Sequence, residues 1–239
     1  MGFLASITLT VFAAASLHNA FTQIGQRFEA EHPGVSVRLS FDGSQILETQ
    51  IANGAPADVF ASADKRIMDK AVSAGLVEPP VNFAGNSLVA IMQFDIDIHS
   101  LRDLTHDGLK LAICAEQVPC GRYTRIVLQR MSADQRFWPN YAAQVMRNVV
   151  TQEQNVESVV TKINLGEADA GIVYATDVVM ASGVHFRNFP IPDEDQDPVI
   201  YPMAIVKGSA NAQLAREFVL FVTSPVGQSA LEQLGFRKP

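Results

Sequence analysis

Short runs of β-branched and apolar residues alternate along this chain with longer amphipathic stretches, and that alternation limits the available folds more than any other feature. The runs are ITLTVF (7–12), VSVRLSF (35–41), DVFAS (58–62), SLVAIM (87–92), KLAICA (110–115), AGIVYA (170–175) and YPMAIV (201–206). Their length, branching and turn-type flanks predict strands. Between them apolar residues recur at helical spacing. Leu17, Phe21, Ile24 and Phe28 mark a helix over 17–31 that His32-Pro33-Gly34 stops. Ile46, Leu47 and Ile51 mark one over 45–53, and Ile67, Met68, Ala71 and Val72 one over 65–75. Further helices fit 121–131, 137–148, 156–165, 211–221 and 225–234. Such alternation predicts βαβ units with parallel strands and right-handed crossovers.

The opening run, MGFLASITLTVFAAASL, carries no charge and invites comparison with a secretory leader. A leader needs a basic n-region, and the first Lys or Arg here is Arg27. Ile7, Leu9 and Val11 alternate with Ser6, Thr8 and Thr10, so the run reads as a strand that delivers Ser16 to a helix start. Met1–Ala5 reads as a leader remnant or an added segment. No later stretch approaches the ~20 continuous apolar residues of a membrane span.

Two segments read as domain junctions. EPPVNFAGN (78–86) is rich in Pro, Gly and Asn, and PIPDEDQDP (190–198) is acidic and Pro-rich. The predicted division is therefore 1–84 as the first part of one lobe, 85–198 as a second lobe, and 199–239 as a return to the first. A ligand of such a protein belongs in the cleft.

Composition excludes several functions. The formal net charge of −7 argues against a nucleic-acid or anionic-membrane surface. The five histidines (His18, His32, His99, His106 and His185) are scattered, with no HExxH or CxxC, so a metal site is not expected. Phosphate-cradling glycine motifs and GxSxG are also missing. Cys114 and Cys120 are the two cysteines, and their spacing admits two readings: free thiols, or a small disulfide around the Glu116–Pro119 loop.

In open α/β sheets ligands bind beyond the carboxyl ends of strands, where helix N–H groups point outward. Those junctions hold Ser16, Asp42-Gly43-Ser44, Cys120-Gly121, Gln154-Asn155-Val156 and Tyr174. They offer small or neutral donors rather than a carboxylate–histidine pair or a cation. Helix N-termini can hold an anion without formal positive charge. A site of donors alone favours a fully ionised oxyanion over one whose remaining O–H needs an acceptor. Each residue also has a plain structural reading. Ser16 and Ser44 fit N-caps, Tyr174 fits a core tyrosine, and Asp58 and Asp64 fit structural caps.

Taken together, VFAAASLHNAF, GAPADVFASADKRIMDK, VPCGRY, AGIVYATD and YPMAIVKGS strongly resemble the molybdate-binding proteins of bacterial ABC importers, from about residue 7 to the end. The resemblance implies a type II periplasmic-binding-protein fold: two α/β lobes with central mixed sheets, joined by a two-strand hinge. It implies ligation of molybdate, and of tungstate, by hydrogen bonds from Ser16, Ser44, Cys120 (backbone N–H), Val156 and Tyr174. These would also be the metal ligands if molybdate is counted as a metal. It implies no catalysis, no cofactor, a membrane permease as partner, and a periplasmic or extracytoplasmic location, lipid-anchored or not. Nothing in the sequence suggests more than a monomer, and the acidic charge leaves no nucleic-acid partner expected. Two departures stand out. Asp42 brings a carboxylate close to the anion site, and Cys120 stands where the family often has alanine. Three rivals are weighed: the same fold tuned to sulfate, the sensing domain of a regulator, and a hydrolase using Ser16 or Ser44. The second lacks a helix-turn-helix segment and the third a nucleophile elbow.

Overall fold

The computed structural model describes residues 7–180 and 186–239; Met1–Ala5 and His185 lie outside them. Contacts divide the chain into two units. One comprises the chain up to Gly85 together with Ile200–Pro239, the other Asn86–Val199. The chain therefore passes between units twice, at Gly85-Asn86 and at Val199-Ile200.

The first unit is built on strands β1 (Ile7–Ala14), β2 (Val35–Asp42), β3 (Val59–Ala61), β4 (Val81–Asn86) and β10 (Val199–Ile205), in the order β2-β1-β3-β10-β4. β1 runs parallel to β2 and β3, as strand–helix alternation predicts. β10 enters antiparallel to β3, so the sheet is mixed. Helices α1 (His18–Glu31), α2 (Ser44–Ala52) and α3 (Lys65–Ser73) follow the first three strands. α8 (Ala212–Thr223) and α9 (Pro225–Gln233) close the chain.

Register decides which residues share a face. Leu9 pairs with Val37 and Val11 with Leu39, and Gly25 of α1 lies against Val37 and Leu39. That face is covered by α1, whose Phe21 and Phe28 meet Phe218 of α8 edge-on. One residue along, the side chain changes face. Phe12 pairs with Phe60, and both join Leu47 of α2 and Ile67 and Met68 of α3 in a separate apolar cluster. Burying each such side chain contributes about 1.5–3 kcal/mol.

In the second unit β5 (Leu88–Gln93), β6 (Leu111–Cys114), β7 (Val149–Glu153), β8 (Ala170–Tyr174) and β9 (Phe186–Pro190) form a sheet ordered β7-β6-β8-β5-β9. β6 is parallel to β7 and β8, while β5 is antiparallel to β8 and β9. α4 (Pro119–Ala133), α5 (Tyr141–Arg147), α6 (Val156–Asn164) and α7 (Ala175–Met180) complete it. Gly171 of β8 lets α6 approach: a Cβ there would meet Ile163 at 2.9 Å and Val159 at 3.0 Å.

Some expectations change. The helix predicted over 137–148 begins only at Tyr141, because Pro139 disfavours helical geometry at Trp138. Residues 81–86 form a strand in the first sheet, although their Pro, Gly and Asn content reads as a linker. β7 and β9 are edge strands without a long apolar run, which hides them from periodicity. The acidic stretch after Pro190 is pinned: Arg136 pairs with Glu194 and Asp195 at 2.8 and 2.7 Å, and Arg130 with Asp197 at 2.5 Å.

Candidate functional site

The first unit places Ser16 and Ser44 at the carboxyl ends of β1 and β2. Ser16 sits in a single 3-10 turn, residues 15–17, between β1 and α1, and is 2% exposed. Its hydroxyl does not cap α1. It lies 2.9 Å from the Tyr201 hydroxyl instead. Ser44 is the first residue of α2 rather than its cap, which is Gly43. Its Oγ accepts the N–H of Ala63 at 3.0 Å, in the turn after β3. That N–H can only donate, so the Ser44 proton stays available to an incoming acceptor.

The residues after β3 brace this arrangement. Ser62 donates to the Asp64 carbonyl at 2.9 Å and accepts the Asp64 N–H at 3.1 Å. The Asp64 side chain caps α3, accepting from Arg66 N–H at 2.7 Å. Asp58 accepts from Thr10 N–H at 2.7 Å, Ser209 Oγ at 2.5 Å and Asn211 Nδ2 at 3.3 Å. Both aspartates of GAPADVFASAD thus serve the fold. Asp42 accepts the adjacent Gly43 N–H at 2.7 Å, so its carboxylate engages the backbone just before α2. His18 opens α1 and lies against the Phe41 ring, with centroids 4.5 Å apart.

In the second unit Cys120 lies in the first turn of α4, whose N-cap is Val118 with no side-chain cap. First-turn N–H groups have no acceptor within the helix, so the Cys120 N–H is a donor by position. Gly121 makes the geometry attainable: a Cβ there would lie 2.0 Å from the Ala115 carbonyl oxygen. Val156 opens α6, with Asn155 as N-cap accepting from Ser158 N–H at 2.9 Å. Tyr174 ends β8 and is buried, and its N–H donates to Asp177 at 2.9 Å.

The sequence-predicted donors therefore fall into two groups, Ser16 and Ser44 in the first unit and Cys120, Val156 and Tyr174 in the second. Sequence reasoning missed the groups behind them. Tyr201 is one. Asp177 is another: burial pushes its carboxyl up to about 8, although the Tyr174 N–H lowers it. Arg125 is a third, half-buried, donating to the carbonyls of Gly121 at 2.8 Å and Cys114 at 3.2 Å and to Gln152 at 2.6 Å. Its charge is directed to these acceptors and not left as a bare cation.

Of the two readings of Cys114 and Cys120, the structure has the free-thiol one: both are unbridged and buried. Cys120 Sγ is turned to the Ile172 carbonyl at 3.5 Å. Burial pushes the Cys114 thiol up, and the neighbouring Cys120 adds to the rise. Among the described residues, no group of three or more His, Cys, Asp or Glu is placed to hold a metal ion. Among them, too, no helix is long and apolar enough to cross a membrane.

Two α/β units with neutral donors at strand ends are the features of a class of protein that binds a solute. The family of bacterial extracellular solute-binding proteins matches residues 9–237, and the chain belongs to that family. It is 41% identical over 237 residues to the molybdate-binding protein ModA of Mycobacterium bovis, covering 97% of this chain and 85% of that one. The periplasmic molybdate-binding protein of Azotobacter vinelandii superposes with a TM-score of 0.84 at 22% identity, covering 97% and 99% of the two chains. The sulfate-binding protein SubI of Mycobacterium tuberculosis superposes with 0.85 at 18%, covering 97% and 87%. Both structures establish the type II periplasmic-binding-protein fold.

Proposed function

We propose that the protein captures molybdate, and tungstate with it, through donors at Ser16, Ser44, Cys120, Val156 and Tyr174, and delivers it to the membrane permease of an ABC importer. The observation that carries this reading is the 41% identity to a molybdate-binding protein over 97% of the chain. Fold likeness does not choose the oxyanion, since a sulfate-binding protein superposes equally well.

The donor chemistry supports the same reading. The Ser44 hydroxyl and the first-turn N–H groups of Cys120 and Val156 supply protons, which suits an oxyanion that has none of its own. The protein works outside the cytoplasm, periplasmic or tethered by lipid, as a monomer. It needs no cofactor, catalyses no reaction and binds no nucleic acid.

Titration calorimetry with molybdate, tungstate, sulfate and phosphate tests the proposal. Tight binding of the first two with weak binding of the others is expected. A protein that takes sulfate and leaves molybdate would transfer the reading to the sulfate rival.

A further inference from the structure

We infer that Tyr201 is a positioning residue for this oxyanion site: its phenol donates to Ser16 Oγ from behind and keeps the Ser16 proton for the ligand. The inference rests on the molybdate reading above. The two hydroxyls are 2.9 Å apart, both buried, and separated by 185 residues of chain. The Tyr201 ring is held edge-on by Phe83 and Phe236, with centroids 6.3 and 5.5 Å away, which keeps the phenol in line with Ser16.

Which oxygen donates follows from two considerations. A phenol is a stronger acid than an aliphatic hydroxyl and so the better donor of the pair. The other serine of the unit shows the same arrangement with its direction forced, because the group behind Ser44 is the Ala63 N–H, which cannot accept. With Tyr201 donating, Ser16 presents its own proton outward. Were the pair reversed, the Ser16 proton would be spent on Tyr201 and its oxygen would accept from an oxyanion that still carries O–H. The direction of this one hydrogen bond therefore bears on the choice between a fully ionised oxyanion and hydrogen phosphate.

The test is a double-mutant cycle read by calorimetry with molybdate and with inorganic phosphate on the full chain. Tyr201→Phe keeps the ring between Phe83 and Phe236 and removes only the hydroxyl. Molybdate affinity should fall about tenfold, the order of one hydrogen bond to a charged group, while phosphate affinity holds or rises. On a Ser16→Ala background, Tyr201→Phe should cost no further molybdate affinity, since the proposed effect on the ligand passes through the Ser16 hydroxyl. Thermal melting confirms that each variant is folded. Equal losses for both anions, or the same loss with and without Ser16, would mean that Tyr201 merely supports the fold. Failure of the unmodified protein to bind molybdate would instead overturn the functional reading itself.

Discussion

The backbone N–H of Tyr174 donates to a carboxylate oxygen of Asp177, 2.9 Å away and buried within the second unit. Burial pushes that carboxyl from an ordinary 3.8 up to about 8, the Tyr174 N–H opposes the rise, and the charge of Glu157 adds to it. The folded protein then keeps a proton that the unfolded chain releases. Stability from this group is full below about pH 4 and declines as pH rises towards 8, by at most about 1.4 kcal/mol per pH unit. Asp177→Asn keeps an acceptor for Tyr174 and abolishes the titration. Its Tm should fall less steeply than that of the native protein between about pH 5 and 8. Parallel pH profiles would contradict the assignment.

Gly121 admits no side chain, since a Cβ would lie 2.0 Å from Ala115 O and 2.4 Å from Cys114 O. Gly121→Ala must push the first turn of α4 off the end of β6, carrying the Cys120 N–H with it. A stability loss of about 1–3 kcal/mol or more is expected. Molybdate binding should weaken in the fraction that folds. Melting and calorimetry together check this, and native values in both would refute the role given to that turn.

Asp58 separates a structural role from a ligand role. Replacing it with Ala strands the Thr10 N–H, Ser209 hydroxyl and Asn211 amide, a loss of about 1–3 kcal/mol. Chemical denaturation should show that loss, with molybdate affinity of the folded protein unchanged. A large fall in affinity at native stability would place Asp58 in the binding machinery.

The two cysteines give a count. Thiol titration of the denatured, unreduced protein should find two free groups, and the native protein should react slowly because both are buried. Finding none would restore the disulfide.

Local patterns carried much of this fold. Leu17, Phe21, Ile24 and Phe28 lie a helical turn apart, and the helix they predict over 17–31 is found at His18–Glu31. Ile7, Leu9 and Val11 alternate as β1 does. The strands that escaped notice are those whose short-range signal is weak: Val81–Asn86 contains Gly and Asn, Val149–Glu153 is half polar, and Phe186–Pro190 carries Arg, Asn and Pro. Strand ends also pointed to Ser16, Ser44, Cys120, Val156 and Tyr174, because a helix N-terminus announces itself within a few residues.

What the sequence by itself determined was where strands stop, where helices start and which donors stand at those junctions, since backbone geometry and capping act over a handful of residues. Tertiary structure alone decided the rest. It set β10 antiparallel beside β3, brought Tyr201 to Ser16 across 185 residues, placed the Ala63 N–H behind Ser44, buried Asp177 and left Cys114 and Cys120 unbridged. Each of these depends on register and burial across elements distant in the chain. No local period encodes such pairings; they exist only once the whole sheet has closed around them.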